Sequence, residues 1–403
     1  MAILAVNAGS STLKFSVHAL QAGQVQPSVL TGSIQGLEPG GSAEMGWSFQ
    51  AQAQRRRLDT TGGDPFHQAL ISLRELLASL ASAPHIDAVA HRVVHGGQNF
   101  RASVIVTDEV LTQLAQLNSL APLHQPHNLE GIRAFRKAFP EVPQIACFDT
   151  AFHASLPEVD YTFALPQSLT DQGVRRYGFH GLSYQYIMDT LLQHTPQARG
   201  RVVMAHLGNG ASLCAAREGL SCATTMGFSA LDGLMMGTRS GSLDAGVLLY
   251  LLEKGWDHDR LQTLLYRQSG LLGVSGISAD MRRLRTEGSM AAQRAIDLFT
   301  HRVVRESGAL TACLGGLDVL AFSGGIGEHD AVLRAQVGGR LAYLGVQLDE
   351  TLNRQATGEA IMAIHAATSP IQVWVVPTDE GRVAAREAAA LLCQPASGGL
   401  TEG

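Results

Sequence analysis

Two short apolar runs, two hundred residues apart, stop on the same kind of turn, and this repetition constrains the fold more than any other feature. The first run is Ile3-Leu4-Ala5-Val6, followed by Asn7-Ala8-Gly9-Ser10-Ser11-Thr12 and an alternating stretch over 13–20. The second is Val202-Val203-Met204-Ala205, then His206-Leu207-Gly208-Asn209-Gly210-Ala211-Ser212, then Leu213-Cys214-Ala215-Ala216. Each reads as a strand, a turn of small polar residues, and a second strand. Ala5 aligns with Ala205, Thr12 with Ser212 and Leu13 with Leu213 at a constant offset of 200. One such unit in each half of the chain suggests a duplicated nucleotide-binding unit.

A third glycine cluster, Ser323-Gly324-Gly325-Ile326-Gly327-Glu328, follows the apolar run over 317–322. A strand that ends in glycines lets a ligand approach the backbone closely, because no Cβ stands in the way. Apolar residues at helical spacing over 64–80, 110–117 and 290–314 alternate with the strands and give an α/β class. The polar stretch over 21–58 reads as further strands, and Val247 to Leu252 as one buried helical face. A proline-punctuated loop over 150–157 marks a domain boundary, and the small polar residues over 395–403 read as a frayed end.

At 403 residues the chain has room for two or three domains. Its net charge of −5 speaks against a phosphate-backbone or anionic-membrane partner. The basic runs Arg55-Arg56-Arg57 and Arg282-Arg283 read as solvated faces. Five cysteines form no CxxC pair, which argues against a disulfide framework and for a reducing cytoplasm. The N-terminal residues lack the charged flank and apolar core of a signal peptide, and no stretch reaches the 18 or so apolar residues of a membrane span.

Several chemistries are missing. None of the three lysines follows a glycine, so no GxxxxGK[ST] loop exists; GxGxxG, GxSxG and HExxH are absent too. His124-Gln125-Pro126-His127 could hold a metal, but its proline and that of Ala121-Pro122 favour a structural loop. What stands out instead is Lys14 in an alternating apolar run, Arg92 just ahead of Val93-Val94 and a double glycine, Arg239 between Gly237 and Gly241, and Asp149 at a strand end. Together with glycine turns these describe phosphoryl transfer, which asks for positive charge and N–H donors around a spreading negative charge.

The motifs that carry these residues resemble the acetate kinase family. They are Asn7-Ala8-Gly9-Ser10-Ser11-Thr12-Leu13-Lys14, His91-Arg92-Val93-Val94-His95-Gly96-Gly97, Phe148-Asp149-Thr150-Ala151-Phe152-His153 and Arg176-Tyr177-Gly178-Phe179-His180-Gly181. His206-Leu207-Gly208-Asn209-Gly210, Met235-Met236-Gly237-Thr238-Arg239-Ser240-Gly241, Gly325-Ile326-Gly327-Glu328 and Pro377-Thr378-Asp379-Glu380 complete the series, in family order.

The resemblance implies a duplicated actin-like (ribonuclease H-like) ATPase fold with the active site in the cleft between two domains. It places the first domain at 1–150, completed by a C-terminal helix at about 382–394, and the second, which carries the nucleotide loops and a homodimer surface, at 151–381. It implies reversible, in-line transfer of the γ-phosphoryl of ATP, with Mg²⁺ or Mn²⁺, to acetate. Asn7 and Glu380 would hold the metal, and Ser10, Thr12 and Lys14 would bind nucleotide phosphates. Arg92 would grip the acceptor carboxylate, in a pocket walled by Val94, Leu123, Phe179 and Ala230. His180 and Arg239 would stabilise the moving phosphoryl, with Asp149 as proton donor and acceptor. The nucleotide would touch the loops His206, Leu207, Gly208, Asn209, Gly210; Asp280, Met281, Arg282; and Gly325, Ile326, Gly327, Glu328, His329.

This chain departs from the usual family pattern at Leu182, Tyr184, Ala223, Ala230, Ser242 and His329. None of these is assigned to phosphoryl transfer, but Ala230 replaces a common proline of the acyl pocket. Propionate is therefore the alternative acceptor, with butyrate behind it. A non-catalytic, chaperone-like ATP-binding module is the reading from another class, although such a module needs no carboxylate clamp.

Overall fold

The computed structural model describes residues 1–9, 11–38, 40–59, 64–80, 84–122 and 124–393. The chain divides into two compact units, Met1–Ala151 with the segment from Asp379 onward, and Phe152–Thr378.

The first unit is built on β1 (Ala2–Ala8), β2 (Thr12–Gln21), β3 (Gln24–Gln35), β4 (Glu44–Phe49), β5 (Gln52–Arg57), β6 (Ile86–Val93), β7 (Val104–Ile105) and β8 (Gln144–Phe148). They lie in the order β5-β4-β3-β2-β1-β6-β8-β7. β1 is buried almost throughout because β2 flanks it antiparallel and β6 parallel, and it reads as an unbroken apolar run. The helix Pro65–Ser79 starts where sequence rules put it, with Asp64 accepting from the N–H groups of Phe66 and His67 and proline at the first turn. Its Leu70 and Leu73 join Leu4, Val6 and Phe135 in the core. The helix Glu380–Cys393 packs on β1, β3 and β6 through Ala384, Ala385 and Ala388, whose short side chains allow close approach to the sheet.

The second unit contains β9 (Arg201–Leu207), β10 (Ala211–Arg217), β11 (Leu220–Thr224), β12 (Val319–Ser323), β13 (Met362–Ala363) and β14 (Gln372–Val375). Their order is β11-β10-β9-β12-β14-β13. Its hairpin β9–β10 is antiparallel, and β9, β12 and β14 run parallel, as β1, β6 and β8 do in the first unit. The two sheets thus share a five-strand plan, and the duplication read from the glycine turns is a duplication of topology. Val202 and Met204 pack with Tyr184, Ile187 and Met188 of the helix Gly181–His194. The helix Met290–Leu314 lies on β9, β10 and β11.

Four expectations need correction. The segment expected as a buried face lies in the helix Ala245–Glu253, which has no buried residue; Leu249 is 63% and Tyr250 55% exposed. Periodicity reports an apolar stripe, not what covers it. The stretch His124–His127 is no loop: it starts the helix Gln125–Ala138, with proline at the first turn, where its missing N–H costs nothing. The expected loops at 280–282 and 325–329 are helical as well, since Asp280 caps the helix Met281–Glu287 and the last glycine cluster forms the helix Gly324–His329. The basic run at 55–57 is exposed on β5, and Arg282 and Arg283 are exposed too. All five cysteines are free. No described helix is long and apolar enough to cross a membrane. Residues 395–403, Ser10 and Leu123 lie outside the described residues.

Candidate functional site

In the first unit the expected residues gather at the ends of β1, β2, β6 and β8. Asn7 and Lys14 are cross-strand partners, so their side chains share one face of the sheet. With Arg92, Glu380 and Gly381 they line a cavity of about 140 Å³. Thr12 opens β2, and its carbonyl accepts from the N–H of Gly9 at 2.8 Å, closing the turn.

Arg92 is the hub. Its Nε donates to Asp149 Oδ1 at 3.0 Å and its Nη2 to Oδ2 at 2.5 Å, a bidentate fork. Nη1 reaches Asn7 Oδ1 at 3.4 Å, and Glu380 Oε2 stands 3.4 Å from Nε. Of the five N–H groups, one on each terminal nitrogen is left over, and that end-on pair matches the two oxygens of a carboxylate. Asp149 is 1% exposed. Burial pushes its pKa up to about 6 and Glu380 adds to the rise, against the pull of Arg92. Arg92 in turn is held charged above its ordinary value by Asp149 and Glu380, which outweigh its own burial.

Two polar residues that sequence reasoning passed over hold this arrangement. Gln125 clamps His95, accepting from its N–H at 3.2 Å and donating to its carbonyl at 3.0 Å. Asn128 accepts from the Val94 N–H at 3.0 Å and donates to the Ala8 carbonyl at 2.8 Å. The signal was present in the stretch mistaken for a loop: two amides on the first turn of an otherwise apolar-striped helix. Val94 itself is buried, 5% exposed.

In the second unit His180 ends an approach segment and precedes the helix Gly181–His194, with φ of 59°, a left-handed conformation uncommon for a non-glycine residue. His153, which burial pushes down to about 4, bonds the Phe179 carbonyl at 2.9 Å and Ser221 at 2.9 Å, and so fixes that segment. His180 Nδ1 is 2.8 Å from Ser212 Oγ, and its ring stacks on His206 at 4.3 Å. A Cβ on Gly210 would stand 3.2 Å from Arg239 Nη2 and 3.3 Å from His180 Nε2. The bare glycine therefore lets an imidazole nitrogen and a guanidinium nitrogen converge on one point beside the backbone, where a side chain would crowd them. Arg239 is anchored by Nη1 on the Ala230 carbonyl at 2.6 Å, and its loop is tied to the β9 turn by Gly237 N–H donating to the Asn209 carbonyl at 2.9 Å. Phe179 is buried at 1% exposed, whereas Ala230 is half-buried.

A cavity of about 890 Å³ adjoins this turn, lined by Gly208, Asn209, Asp280, Met281, Arg282, Gly325, Ile326 and His329, all expected there. Arg285, Asp330, Ala331 and Val332 line it too and were not anticipated. Among the expected set, His206, Leu207, Gly210, Gly327 and Glu328 are not part of that lining. Glu328 turns inward, accepting from the N–H groups of Gly324 at 2.8 Å and Thr378 at 3.2 Å. Such backbone service is invisible in a motif. Another hollow, of about 740 Å³, lies over β2–β5 and contains only Lys14 of the expected residues. No cluster of three or more His, Cys, Asp or Glu suited to a metal ion occurs among the described residues.

Residues 2–386 match the family model described as the acetokinase family. The chain is 48% identical over 393 residues to the acetate kinase of Rhodopseudomonas palustris (strain ATCC BAA-98 / CGA009), covering 95% of this chain and 96% of that protein. It is 47% identical to the acetate kinase of Methylocella silvestris, over 98% and 99% of the two. Among solved structures it resembles a propionate kinase from Francisella tularensis (TM-score 0.88, 35% identity, 96% and 98% coverage). The Porphyromonas gingivalis acetate kinase superposes with a TM-score of 0.84 at 33% identity, over 97% and 99%.

Proposed function

The chain belongs to the acetokinase family and transfers a phosphoryl group between ATP and acetate; from that premise we propose how its residues divide the work. The observation that carries the proposal is the convergence of Arg239 Nη2 and His180 Nε2 on one point beside Gly210, 3.2 and 3.3 Å from where its Cβ would stand. Two donors fixed before the reaction can stabilise charge on a moving phosphoryl without reorganising. The nucleotide lies against the 890 Å³ cavity, whose Ile326, Met281 and Val332 offer apolar surface to a base and whose Arg282 and Arg285 offer charge.

The acceptor carboxylate is gripped by the leftover N–H pair of Arg92. Acetate is already ionised at neutral pH, so no proton needs to leave it. The main work of Asp149 is then to hold the guanidinium in its plane, and its raised pKa also makes it the group able to exchange a proton near pH 6. Lys14 supplies a further positive charge to phosphate oxygens. Asn7 Oδ1 and the Glu380 carboxylate are hard oxygen donors on one cavity and suit Mg²⁺ or Mn²⁺, which keeps several waters and takes its remaining ligands from phosphates. When bound, the ion neutralises phosphate charge.

Propionate is the second acceptor, favoured by the trimmed Ala230 and by the likeness to a propionate kinase. The exposed apolar face of Val247, Leu249, Tyr250 and Leu252 supports a homodimer. The free cysteines fit a reducing cytoplasm. Hydroxylamine trapping tests the activity: with ATP, Mg²⁺ and acetate the protein should yield acetohydroxamate. No hydroxamate, with ATP still bound, would favour the non-catalytic module instead.

A further inference from the structure

Tyr184 is one of the positions where this chain leaves its family's pattern, and it is fully buried, 0% exposed, on the first turn of the helix Gly181–His194. Its ring lies edge-on to His153 at 5.6 Å. Its hydroxyl is 2.5 Å from Ser212 Oγ, and Ser212, also 0% exposed, is 2.8 Å from His180 Nδ1.

We propose that Tyr184 and Ser212 form a one-way hydrogen-bond relay that fixes His180 as the Nε2–H tautomer and so aims a donor at the point beside Gly210 that Arg239 Nη2 also faces. The direction follows from counting protons. Each hydroxyl carries one, both are buried, and a buried donor without an acceptor is strongly disfavoured because it forfeits its bond to water. Ser212 Oγ is the one side-chain hydrogen-bond partner of the Tyr184 hydroxyl among the described residues, so the Tyr184 proton goes there. The Ser212 proton then goes to His180 Nδ1, which must be bare. Placing a proton on Nδ1 instead would reverse the Ser212 contact and strand one buried hydroxyl proton. With Nδ1 occupied as acceptor, the ring's one proton sits on Nε2, the nitrogen that faces the same spot as Arg239 Nη2. Tyr184 is thus a positioning residue: it acts on the reacting group through Ser212 and His180. The inference rests on the phosphoryl-stabilising role of His180 proposed above.

The test reads tautomer and turnover together. ¹⁵N spectra of histidine-labelled protein, with the His180 signals identified by their loss in His180→Ala, should show a bare Nδ1 and a protonated Nε2. The opposite tautomer in the parent protein overturns the relay. Tyr184→Phe keeps the ring and removes the hydroxyl. It should lower kcat about tenfold to a hundredfold, the range for residues that orient a reacting ligand, leave KM for ATP and acetate within about twofold, and turn the His180 spectrum into a tautomer mixture. A merely structural role would move melting or KM and leave the tautomer alone. Ser212→Ala gives the same readings should Tyr184→Phe fail to fold, and the double variant should be no slower than Ser212→Ala. Folded Tyr184→Phe at parent kcat, beside a crippled His180→Ala, sinks the relay alone. His180→Ala at parent kcat sinks the role of His180, and the relay with it.

Discussion

Arg92 grips Asp149 with two parallel hydrogen bonds, Nε to Oδ1 at 3.0 Å and Nη2 to Oδ2 at 2.5 Å, although the residues lie 57 positions apart. The arginine expected to hold a substrate carboxylate is first a partner to one of the protein's own. That changes what its removal does. Arg92→Ala should not leave stability untouched, because it strands a buried carboxylate; removing one partner of such a pair costs ~3–5 kcal/mol. In an Asp149→Asn background the same change should cost far less, since no charge is left behind. Chemical denaturation of the four proteins checks this, and equal losses in both backgrounds would refute it.

Arg239→Ala should behave differently. Its Nη1 is anchored on the Ala230 carbonyl and the residue is only half-buried, so melting should hold. Turnover should fall ~10³–10⁵-fold, the range for an arginine that stabilises a transferring phosphoryl. More than a tenth of parent kcat in a normally melting variant would remove it from the site.

Acid should slow the enzyme before it unfolds it. As pH drops through about 6 Asp149 takes up its proton and loses its hold on Arg92, so kcat/KM for acetate should decline there. Asp149→Asn should be slow at every pH and lack that limb. Stability declines over an overlapping but wider range. His91 and His153 are buried with pKa values pushed from 6.5 to about 4, so the unfolded chain binds protons first. Stability is then full above pH 6.5 and is lost as pH falls toward 4, by at most about 3 kcal/mol per histidine. His91→Gln should flatten part of that decline in urea unfolding measured from pH 7.5 to 4.5.

Ala230→Pro should raise the preference for acetate over propionate. The alanine lacks two ring carbons of the commoner proline, and one methylene is worth ~1–3 kcal/mol of discrimination. The carbonyl of residue 230 would remain to hold Arg239, so KM for ATP should not move. In the parent, propionate should be used within about tenfold of acetate. An unchanged kcat/KM ratio in the variant would shift selectivity to Val94 or Leu123.

On the proposed homodimer, Leu249→Glu combined with Tyr250→Glu should yield a folded monomer. The two side chains are 63% and 55% exposed on a helix with no buried residue, so the monomer's core is spared. Light scattering after size-exclusion chromatography reads the mass, and an unchanged mass would place the interface elsewhere.

The sequence determined what is local. Strand alternation, glycine punctuation and the offset of 200 announced two copies of one unit, and apolar spacing over 64–80 announced a helix, because backbone geometry depends on neighbours in the chain. Motif order determined the family. What it could not hold is direction. Glu328 sits in a nucleotide motif yet turns to the backbone of Gly324 and Thr378. Gln125 and Asn128, in a stretch that read as a loop, brace the segment after Arg92. Tyr184 reaches Ser212 across 28 positions and Ser212 reaches His180 across 32. An apolar stripe over 247–252 is the same string of letters whether it is buried or bare. Those outcomes depend on which side chains the packing within each unit brings within about 3 Å of one another. A hydrogen bond falls off over a few tenths of an ångström, so only the packed structure can choose its partners.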